Sequence, residues 1–266
     1  MCESSQKYAL VTGGSSGLGR ALSLRLAALG YGVVVVSHQQ EANDEVLDAL
    51  QKRTSMPCYA LTIDLTTAGA ADEVVAYTDS LGLELSLVAL NAGGLLFGGF
   101  ATHPLLQVDR LVALHVSVNT RLCYLYGKRM VARRAGYILI TSSASASMHY
   151  PSIALYAASK SYLGALADAL HDEWQGYGVV VTGLYPGAVD TSFYSLDNRL
   201  RRWCRRLRLM HSAEQIAERA LRGLFRGKRR VVPGVMTRLM VLLTRLCPAW
   251  TIRRIVALKG VRKLLE

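Results

Sequence analysis

Residues 8–19 read Tyr-Ala-Leu-Val-Thr-Gly-Gly-Ser-Ser-Gly-Leu-Gly. The apolar segment 8–12 has the composition of a short buried strand, and the glycines after it allow a tight turn of the backbone. Leucines at 18, 22, 26 and 29 follow with helical spacing, so a helix is expected over 18–29. A glycine loop between a strand and a helix can hold a phosphate group at the helix N-terminus, although a glycine loop alone is also compatible with a plain structural turn.

The alternation of strand and helix continues along the chain. Further strand patterns lie at 33–36, 58–63, 85–90, 136–141 and 178–184, and further helical patterns at 41–53, 69–80, 105–132 and 153–175. Glycine or polar residues follow each strand. This sixfold β-α alternation predicts an α/β fold, a Rossmann-type doubly wound parallel sheet that binds ligands at the carboxyl ends of its strands. A chain of 266 residues accommodates one such domain.

Basic residues are concentrated at the end of the chain. Residues 199–266 hold 19 Lys and Arg against 3 Asp and Glu, and the whole chain has a net charge of +12. A helix is expected over 212–226 and a nearly apolar helix over 235–246, followed by a basic helix. We therefore predict a core over 1–195, and a basic lid with amphipathic C-terminal helices over 196–266 in the same domain.

The cysteines and the first residues bear on the cellular compartment. Five scattered cysteines with no C-x-x-C pair predict neither a disulfide framework nor a zinc site, and no metal site is expected. The first residues lack the charged and apolar regions of a signal peptide. The longest stretches without charged residues, 85–108 and 135–159, are rich in glycine or serine, so neither is expected to span a membrane. These features predict a cytoplasmic protein.

Ser143, Tyr156 and Lys160 form a second informative constellation. Tyr156 and Lys160 are four residues apart, so they share one face of the predicted helix. An ammonium group beside a phenol lowers the phenol's pKa from its usual value near ~10 toward neutral pH. Ser143 follows a parallel strand and can donate a hydrogen bond to a substrate oxygen. The three residues therefore predict acid–base chemistry at an oxygen atom.

Taken together, the motifs resemble those of the short-chain dehydrogenase/reductase family over about residues 6–195. The matching segments are Thr12-Gly13-x3-Gly17-x-Gly19, Asp64-Leu65, Asn91-Ala92-Gly93, Ser143, Tyr156-x3-Lys160, and Pro186-Gly187 with Thr191. The resemblance implies a nicotinamide dinucleotide cofactor and a homo-oligomer. It also implies that Tyr156 protonates a carbonyl oxygen as hydride arrives, that Ser143 orients this oxygen, and that Lys160 holds the ribose and tunes Tyr156.

The resemblance further implies where the cofactor lies. The glycine loop binds the dinucleotide, Asp64 contacts the adenine, the Asn91-Ala92-Gly93 segment lies along the cofactor, and the segment from Pro186 to Thr191 lies against the nicotinamide carboxamide. The expected cofactor-binding residues are Gly13, Ser15, Ser16, Gly17, Leu18, Gly19, Ser37, His38, Asp64, Leu65, Asn91, Ala92, Gly93, Tyr156, Lys160, Pro186, Gly187, Val189 and Thr191.

His115 marks a departure from the family pattern. The family usually carries an asparagine at this point, which completes a catalytic tetrad with a relay water. Counting along the sequence places His115 there, whereas Asn119 falls one turn later. An imidazole can donate and accept a proton, so His115 is a candidate catalytic residue with a relay role. The alternative is a histidine that only hydrogen-bonds the backbone, and the sequence leaves both open.

The end of the second strand bears on the choice of nucleotide. An acidic residue there would bind the ribose 2′-hydroxyl of NAD, whereas basic or hydrogen-bonding residues suit the 2′-phosphate of NADP. The strand ends in Ser37, His38 and Gln39, with no acid. NADP(H) is therefore favoured, and NAD(H) stays open as the alternative.

Three functional hypotheses follow. The first is an NADP(H)-dependent oxidoreductase that reduces the carbonyl of a hydrophobic lipid-like, acyl or steroid-like substrate. The second is a regulatory protein that binds the cofactor but has lost turnover because of His115. The third is nucleic-acid binding through the basic tail, which is disfavoured because the tail has only the aromatic residues Trp203, Phe225 and Trp250.

An arginine cluster within the tail lies where the family has its substrate lid. Its members are Arg199, Arg201, Arg202, Arg205, Arg206 and Arg208. The cluster is compatible with a solvated lid, with a site for an anionic substrate group, or with peripheral contact of residues 199–266 with an anionic membrane. The apolar helix over 235–246 fits membrane contact, a dimer interface or packing on the core.

Overall fold

The computed structural model describes residues 7–147, 151–190 and 210–246. The strands in chain order are β1 (Tyr8–Thr12), β2 (Gly32–Ser37), β3 (Tyr59–Thr62), β4 (Leu85–Leu90), β5 (Gly136–Thr141), β6 (Val179–Leu184), β7 (Ala188–Asp190), β8 (Met210–Ser212) and β9 (Arg230–Val231). The α-helices are α1 (Gly17–Ala28), α2 (Gln40–Gln51), α3 (Ala70–Ser80), α4 (Leu105–Val112), α5 (Val118–Ala132), α6 (Ala154–Trp174), α7 (Ala213–Phe225) and α8 (Val235–Leu246).

Seven strands form one parallel sheet in the order β3-β2-β1-β4-β5-β6-β9. The chain moves outward from β1 to β3 and then crosses back to β4, so the strand order reverses between β1 and β4. A crevice opens at the carboxyl ends of the strands where the order reverses, and this is the ligand-binding position in open α/β sheets. The predicted Rossmann-type fold in a single domain is confirmed.

Two apolar clusters cover the two faces of the sheet. One face packs against α3, α5 and α6, with Val74, Leu122 and Leu163 among its buried residues. The other packs against α1, α2 and α7, with Leu22, Leu50 and Ile216 among its buried residues. Because both faces are covered, the central strands are apolar throughout, as the valine run of β2 shows.

The structure adds elements that the sequence patterns did not indicate. The expected helix over 105–132 is divided by a π-helical turn, Ala113–Ser117, between α4 and α5. Strand β9 extends the sheet beyond β6, and β7 pairs with β8 in a separate two-stranded sheet. The expected helices over 212–226 and 235–246 are present as α7 and α8, and the Ser212 side chain caps α7 by accepting from the backbone N–H of Gln215.

Part of the predicted tail belongs to the core. Helix α7 packs against α1, and β9 pairs with β6, so 213–231 completes the sheet layer. The predicted domain boundary at 195/196, the arginine cluster at 199–208 and the basic helix after Pro248 lie outside the described residues. Among the helices that the structure describes, none is long and apolar enough to cross a membrane.

Candidate active site

A cleft with a volume of about 610 Å³ opens at the carboxyl ends of the strands, at the point where the strand order reverses. The expected site residues that line it are Gly13, Ser15, Ser16, Gly17, Leu18, Ser37, His38, Asp64, Leu65, Asn91, Ala92, Gly93, Ser143, Tyr156, Lys160, Pro186, Gly187 and Val189. Gly19 and His115 lie behind the wall of the cleft, and Thr191 falls outside the described residues. Arg110 of α4 also lines the cleft, and no motif pointed to it.

The glycine loop forms one wall because it lacks side chains. Gly13 and Gly17 have φ angles of +63° and +49°, a region that favours glycine. A Cβ atom on Gly19 would overlap the carbonyl oxygen of Gly13. The loop therefore packs closely on the start of α1, and the backbone N–H groups at this helix N-terminus suit a phosphate group. This cradle fits the pyrophosphate of a dinucleotide.

Thr12 fixes the neighbouring loop that follows β4. Its Oγ1 accepts hydrogen bonds from the backbone N–H groups of Asn91 and Ala92, at 2.9 and 3.0 Å. The side-chain amide of Asn91 donates to the Thr12 carbonyl at 3.3 Å, and Asn91 Oδ1 accepts from Thr141 at 3.4 Å. These bonds hold the ends of β1, β4 and β5 together, so the floor of the cleft is rigid.

A polar network lies behind the end of β2. Ser15 Oγ donates to Ser37 Oγ at 2.9 Å, and Ser37 Oγ donates to Asn43 Oδ1 at 2.8 Å. Asn43 is fully buried, and its Nδ2 donates to Thr62 at 2.8 Å. The two serine hydroxyls are therefore held side by side at the wall of the cleft with their protons in use, so they can accept a hydrogen bond from a ribose hydroxyl.

Asp64 lies at the same end of the cleft. Its carboxylate accepts hydrogen bonds from the backbone N–H and the hydroxyl of Thr66, at 2.9 and 2.8 Å. These bonds, together with the nearby charges of Arg110 and His38, hold the pKa of Asp64 below its usual range. The group is therefore ionised at neutral pH and can accept a hydrogen bond from an adenine amino group.

Ser143, Tyr156 and Lys160 meet at the opposite end of the cleft. The Lys160 ammonium lies 5.8 Å from the centroid of the Tyr156 ring and donates to the Thr141 carbonyl at 2.9 Å. Burial lowers the pKa of Lys160 to about 8. A cation this close stabilises negative charge that develops on the Tyr156 oxygen, which suits the phenol to donate a proton.

Two further serines position this constellation. Ser143 Oγ accepts hydrogen bonds from the backbone N–H and the hydroxyl of Ser145, at 3.1 and 2.9 Å, so its own O–H is available to donate into the cleft. Ser142 Oγ donates to the Lys160 carbonyl at 2.6 Å, which ties the end of β5 to α6. The positioning roles of Ser142 and Ser145 follow from these hydrogen bonds, which the sequence pattern does not show.

His115 comes from the π-helical turn and is fully buried. Its Nε2 accepts from the backbone N–H of Gly94 at 3.0 Å, and its Nδ1 lies 2.8 Å from Ser159 Oγ. Its ring meets the Tyr156 ring edge-on, with 5.8 Å between centroids. Burial, and secondarily the charge of Lys160, lowers the pKa of His115 to about 2.

The segment after β6 closes the catalytic end. The backbone N–H of Ala144 donates to the Pro186 carbonyl at 2.9 Å, which fixes this segment beside Ser143. A Cβ on Gly187 would lie 2.7 Å from Thr237 Oγ1. The start of α8 therefore packs on this segment, so the predicted apolar helix does pack on the core through one face.

The arrangement can hold an extended dinucleotide with its adenosine at Ser37 and Asp64 and its reactive ring near Tyr156. A carbonyl oxygen between Ser143 and Tyr156 would meet two hydroxyl donors beside a buried cation. This is the electrostatic environment that stabilises a developing alkoxide and protonates it.

Comparison with known proteins agrees with this fold. The family model of the short chain dehydrogenases matches residues 7–200. Mouse 17-beta-hydroxysteroid dehydrogenase type 3 is 27% identical over 198 residues, which covers 73% of this chain and 64% of the mouse protein. Very-long-chain 3-oxoacyl-CoA reductase of Bos taurus is 28% identical over 196 residues, covering 70% of this chain and 60% of the bovine protein. The chain thus spans less than two thirds of these relatives' length.

A solved structure extends the comparison of the fold. A 7beta-hydroxysteroid dehydrogenase superposes with a TM-score of 0.82 at 21% identity, and the match covers 89% of this chain and 90% of that protein. At 21% identity, this similarity shows a shared fold and carries no statement about substrate.

Proposed function

The chain belongs to the short-chain dehydrogenase family, and from this premise we propose that it is an NADP(H)-dependent reductase of a carbonyl group on a hydrophobic substrate. One observation carries the proposal: Ser143, Tyr156 and Lys160 line the same cleft as the glycine loop. A nucleotide seated on the loop would reach the three residues, so hydride and proton donors would meet at one carbonyl.

The chemistry divides between cofactor and protein. When bound, the dihydronicotinamide supplies the hydride. Tyr156 would give its phenolic proton to the oxygen of the substrate carbonyl as its carbon is reduced, which leaves an alcohol and a phenolate. Ser143 donates a hydrogen bond to the same oxygen and orients it. The Lys160 ammonium stabilises the phenolate until water returns the proton.

The preference for NADP(H) rests on the end of β2. Ser37, His38 and Gln39 line the cleft there, and none can repel a phosphate as a carboxylate would. The hydroxyl protons of Ser15 and Ser37 are used within the protein, whereas the ring N–H of exposed His38 and the side-chain amide of exposed Gln39 can donate hydrogen bonds. A 2′-phosphate would therefore find hydrogen-bond donors at this position.

A hydrophobic substrate is supported by the surface beside the catalytic end. Phe97 and Phe100 are 50% and 58% exposed. The backbone N–H of Gly98 donates to the Ser152 carbonyl at 2.8 Å, which holds this turn against the start of α6. The names of two relatives, a hydroxysteroid dehydrogenase and a 3-oxoacyl-CoA reductase, point to substrates of the same apolar character.

The experiment combines binding with turnover. The purified full chain is titrated with NADPH and with NADH by nucleotide fluorescence, and loss of NADPH absorbance is then followed with steroid ketones and with 3-oxoacyl-CoA thioesters of increasing chain length. We expect tighter binding of NADPH and turnover of at least one long or polycyclic ketone. Tight binding without turnover of any panel member would favour a regulatory protein, and absence of nucleotide binding would refute the proposal.

We also propose peripheral contact with an anionic membrane through 199–266. In the described part, α8 exposes Val235, Met236, Leu239, Leu242 and Leu243, and the segment as a whole carries the positive charge noted above. Flotation with vesicles containing phosphatidylserine should recover the protein at low salt, whereas vesicles of phosphatidylcholine alone should not. Recovery independent of lipid charge would contradict an electrostatic contact.

Two expectations from the sequence stay predictions. The homo-oligomer is tested by light scattering after gel filtration, where a monomer mass would contradict it. The cytoplasmic location is tested by fractionation of cells that express the protein, where exclusive recovery with integral membrane proteins would contradict it.

A further inference from the structure

The backbone of the π-helical turn directs His115 into the protein. A π turn inserts an extra residue into the helical repeat, which rotates the following side chains relative to an unbroken helix. The turn lies between α4 and α5, and His115 is its fully buried residue. The Nδ2 of Asn119 donates to the carbonyls of Leu114 and His115, at 2.9 and 3.1 Å, and so satisfies backbone groups of the turn.

The hydrogen bonds of the ring define its tautomer. A backbone N–H can only donate, so Nε2 must accept from Gly94 and carry no proton. The ring proton therefore sits on Nδ1 and is donated to Ser159 Oγ at 2.8 Å. Ser159 Oγ in turn donates to the Tyr156 carbonyl at 2.9 Å. A continuous chain of hydrogen bonds thus joins the loop after β4 to the turn of α6 that carries Tyr156.

The ring also packs against the catalytic end. A Cβ on Gly93 would lie 2.9 Å from His115 Nε2 and 3.3 Å from the Lys160 ammonium, so the ring, Gly93 and Lys160 are in close contact. Lys160 and Tyr156, both on α6, are the titratable groups beside the ring in the described residues. A protonated imidazole here would repel the Lys160 ammonium and would set an N–H against the N–H of Gly94.

We propose that His115 is a neutral positioning residue that braces the loop 91–94 against the Tyr156 turn of α6 and takes no part in proton transfer. Both ring nitrogens are used by the brace, and the carbonyl of His115 already accepts from Asn119. A histidine in place of the asparagine that the family usually carries therefore preserves the shape of the site without supplying a relay. This inference rests on the proposed function only in the part of its test that measures turnover.

The first test is spectroscopic and needs no substrate. The full chain, labelled with ¹⁵N in its histidine side chains, is followed by NMR between about pH 5 and pH 9, the range in which an ordinary imidazole titrates. His115 is assigned by loss of its signals in His115→Asn or, should that variant not fold, by substituting the other five histidines one at a time. We expect a neutral ring with the proton on Nδ1 throughout. Titration within this range, or a proton on Nε2, would overturn the proposal.

The second test separates a brace from a relay. For His115→Ala we expect NADPH to bind about 10-fold more weakly, because the unsatisfied N–H of Gly94 loosens the loop. His115→Asn should recover part of this affinity, and the midpoint of the pH profile of kcat should stay unchanged in both variants. His171→Asn is the matched control. His171 lies further along α6 and bonds the Val181 carbonyl of β6. This variant should bind NADPH as tightly as the unaltered protein does.

Two results would refute the brace. One is unchanged NADPH affinity in His115→Ala, and the other is a shifted midpoint of the pH profile of kcat in either variant, which would assign a relay. Should the protein reduce no ketone in the panel, the NMR and NADPH-affinity measurements still decide the role of His115. Failure of the proposed function is therefore distinguishable from failure of this inference.

Discussion

The two walls of the cleft are built in opposite ways. At the glycine loop, Gly13 and Gly17 line the cleft and Gly19 packs behind them, so this wall depends on the absence of side chains, and its backbone is expected to hold the nucleotide. At the α6 wall, the proposed chemistry belongs to side chains such as Tyr156 and Lys160, and a buried hydrogen bond to the Thr141 carbonyl holds Lys160 in place. We therefore expect nucleotide affinity to fall when atoms are added to the glycine wall, and turnover to fall when atoms are removed from the α6 wall.

The largest effect is expected for Tyr156→Phe, which removes one oxygen from the α6 wall. Loss of a general acid should lower kcat about 1,000-fold, while NADPH affinity stays within about 2-fold, because the ring is retained. Tyr162→Phe on the same helix is the control, since its hydroxyl bonds Thr120 at the surface, and it should retain full activity. Steady-state kinetics with nucleotide titration checks both variants. A Tyr156→Phe variant with more than a tenth of the activity would show that another group supplies the proton.

The next effect is expected for Gly19→Ala, which adds one carbon to the glycine wall. The new Cβ would overlap the Gly13 carbonyl, so the loop must move and NADPH affinity should fall about 100-fold. Gly176→Ala is the control because a Cβ there meets open space. Fluorescence titration measures affinity, and circular dichroism checks that both variants fold. Wild-type affinity in a folded Gly19→Ala protein would remove the basis of the comparison.

Lys160→Met should stabilise the fold while it lowers turnover. The lowered pKa of Lys160 means that its buried charge opposes folding, and a methionine of similar length removes that charge. We expect the free energy of unfolding to rise by roughly 1–3 kcal/mol and Tm by a few degrees. Scanning calorimetry at neutral pH measures the change. A clear loss of stability would show that the Lys160 hydrogen bond outweighs its desolvation.

The lowered pKa of Lys160 also predicts that the stability of the fold depends on pH. Because the pKa of Lys160 is about 8 when folded and 10.5 ordinarily, the unfavourable contribution is complete below pH 8 and disappears as the pH rises to 10.5. The stability difference between Lys160→Met and the unaltered protein should therefore shrink across this window. Denaturant titrations at several pH values measure it, and a constant difference would contradict the buried charge.

The smallest effect is expected for Ser145→Ala, which leaves the reacting groups intact but removes a hydroxyl that donates to Ser143. The backbone N–H of Ser145 still bonds Ser143, so kcat should fall only about 5-fold, the size of one weak hydrogen bond. Exposed Ser80→Ala at the end of α3 is the control and should be silent. A loss as large as that of Tyr156→Phe would place Ser145 in direct contact with the substrate.

The sequence allowed the glycine wall to be predicted better than the α6 wall. Residues 8–19 encode a strand, a turn and the start of a helix through local spacing, so this glycine loop could be located without a structure. Ser143, Tyr156 and Lys160 were also predicted to act together, because helical spacing relates two of them and a strand end positions the third.

The remaining features depend on contacts between residues far apart in the chain. Strand β9 has only two residues and is defined by pairing with β6, so no local pattern indicates it. The π-helical turn gives no periodicity signal of its own within a long helical pattern, yet it decides where His115 points. Likewise, the contact of Thr237 with Gly187 joins segments fifty residues apart, so the sequence alone left packing of α8 on the core as one of three alternatives.

The most direct test of the proposed activity follows the hydride itself. Two samples of NADPH are prepared, each with deuterium on one face of C4. Each sample is incubated with the full chain and with the panel of steroid ketones and 3-oxoacyl-CoA thioesters, and the products are examined by mass spectrometry. We expect an alcohol with one deuterium at the former carbonyl carbon, formed from one labelled face and about 1,000-fold more slowly with Tyr156→Phe. Alcohol formed without deuterium from either face, or no saturable binding of either nucleotide, would contradict the proposed activity.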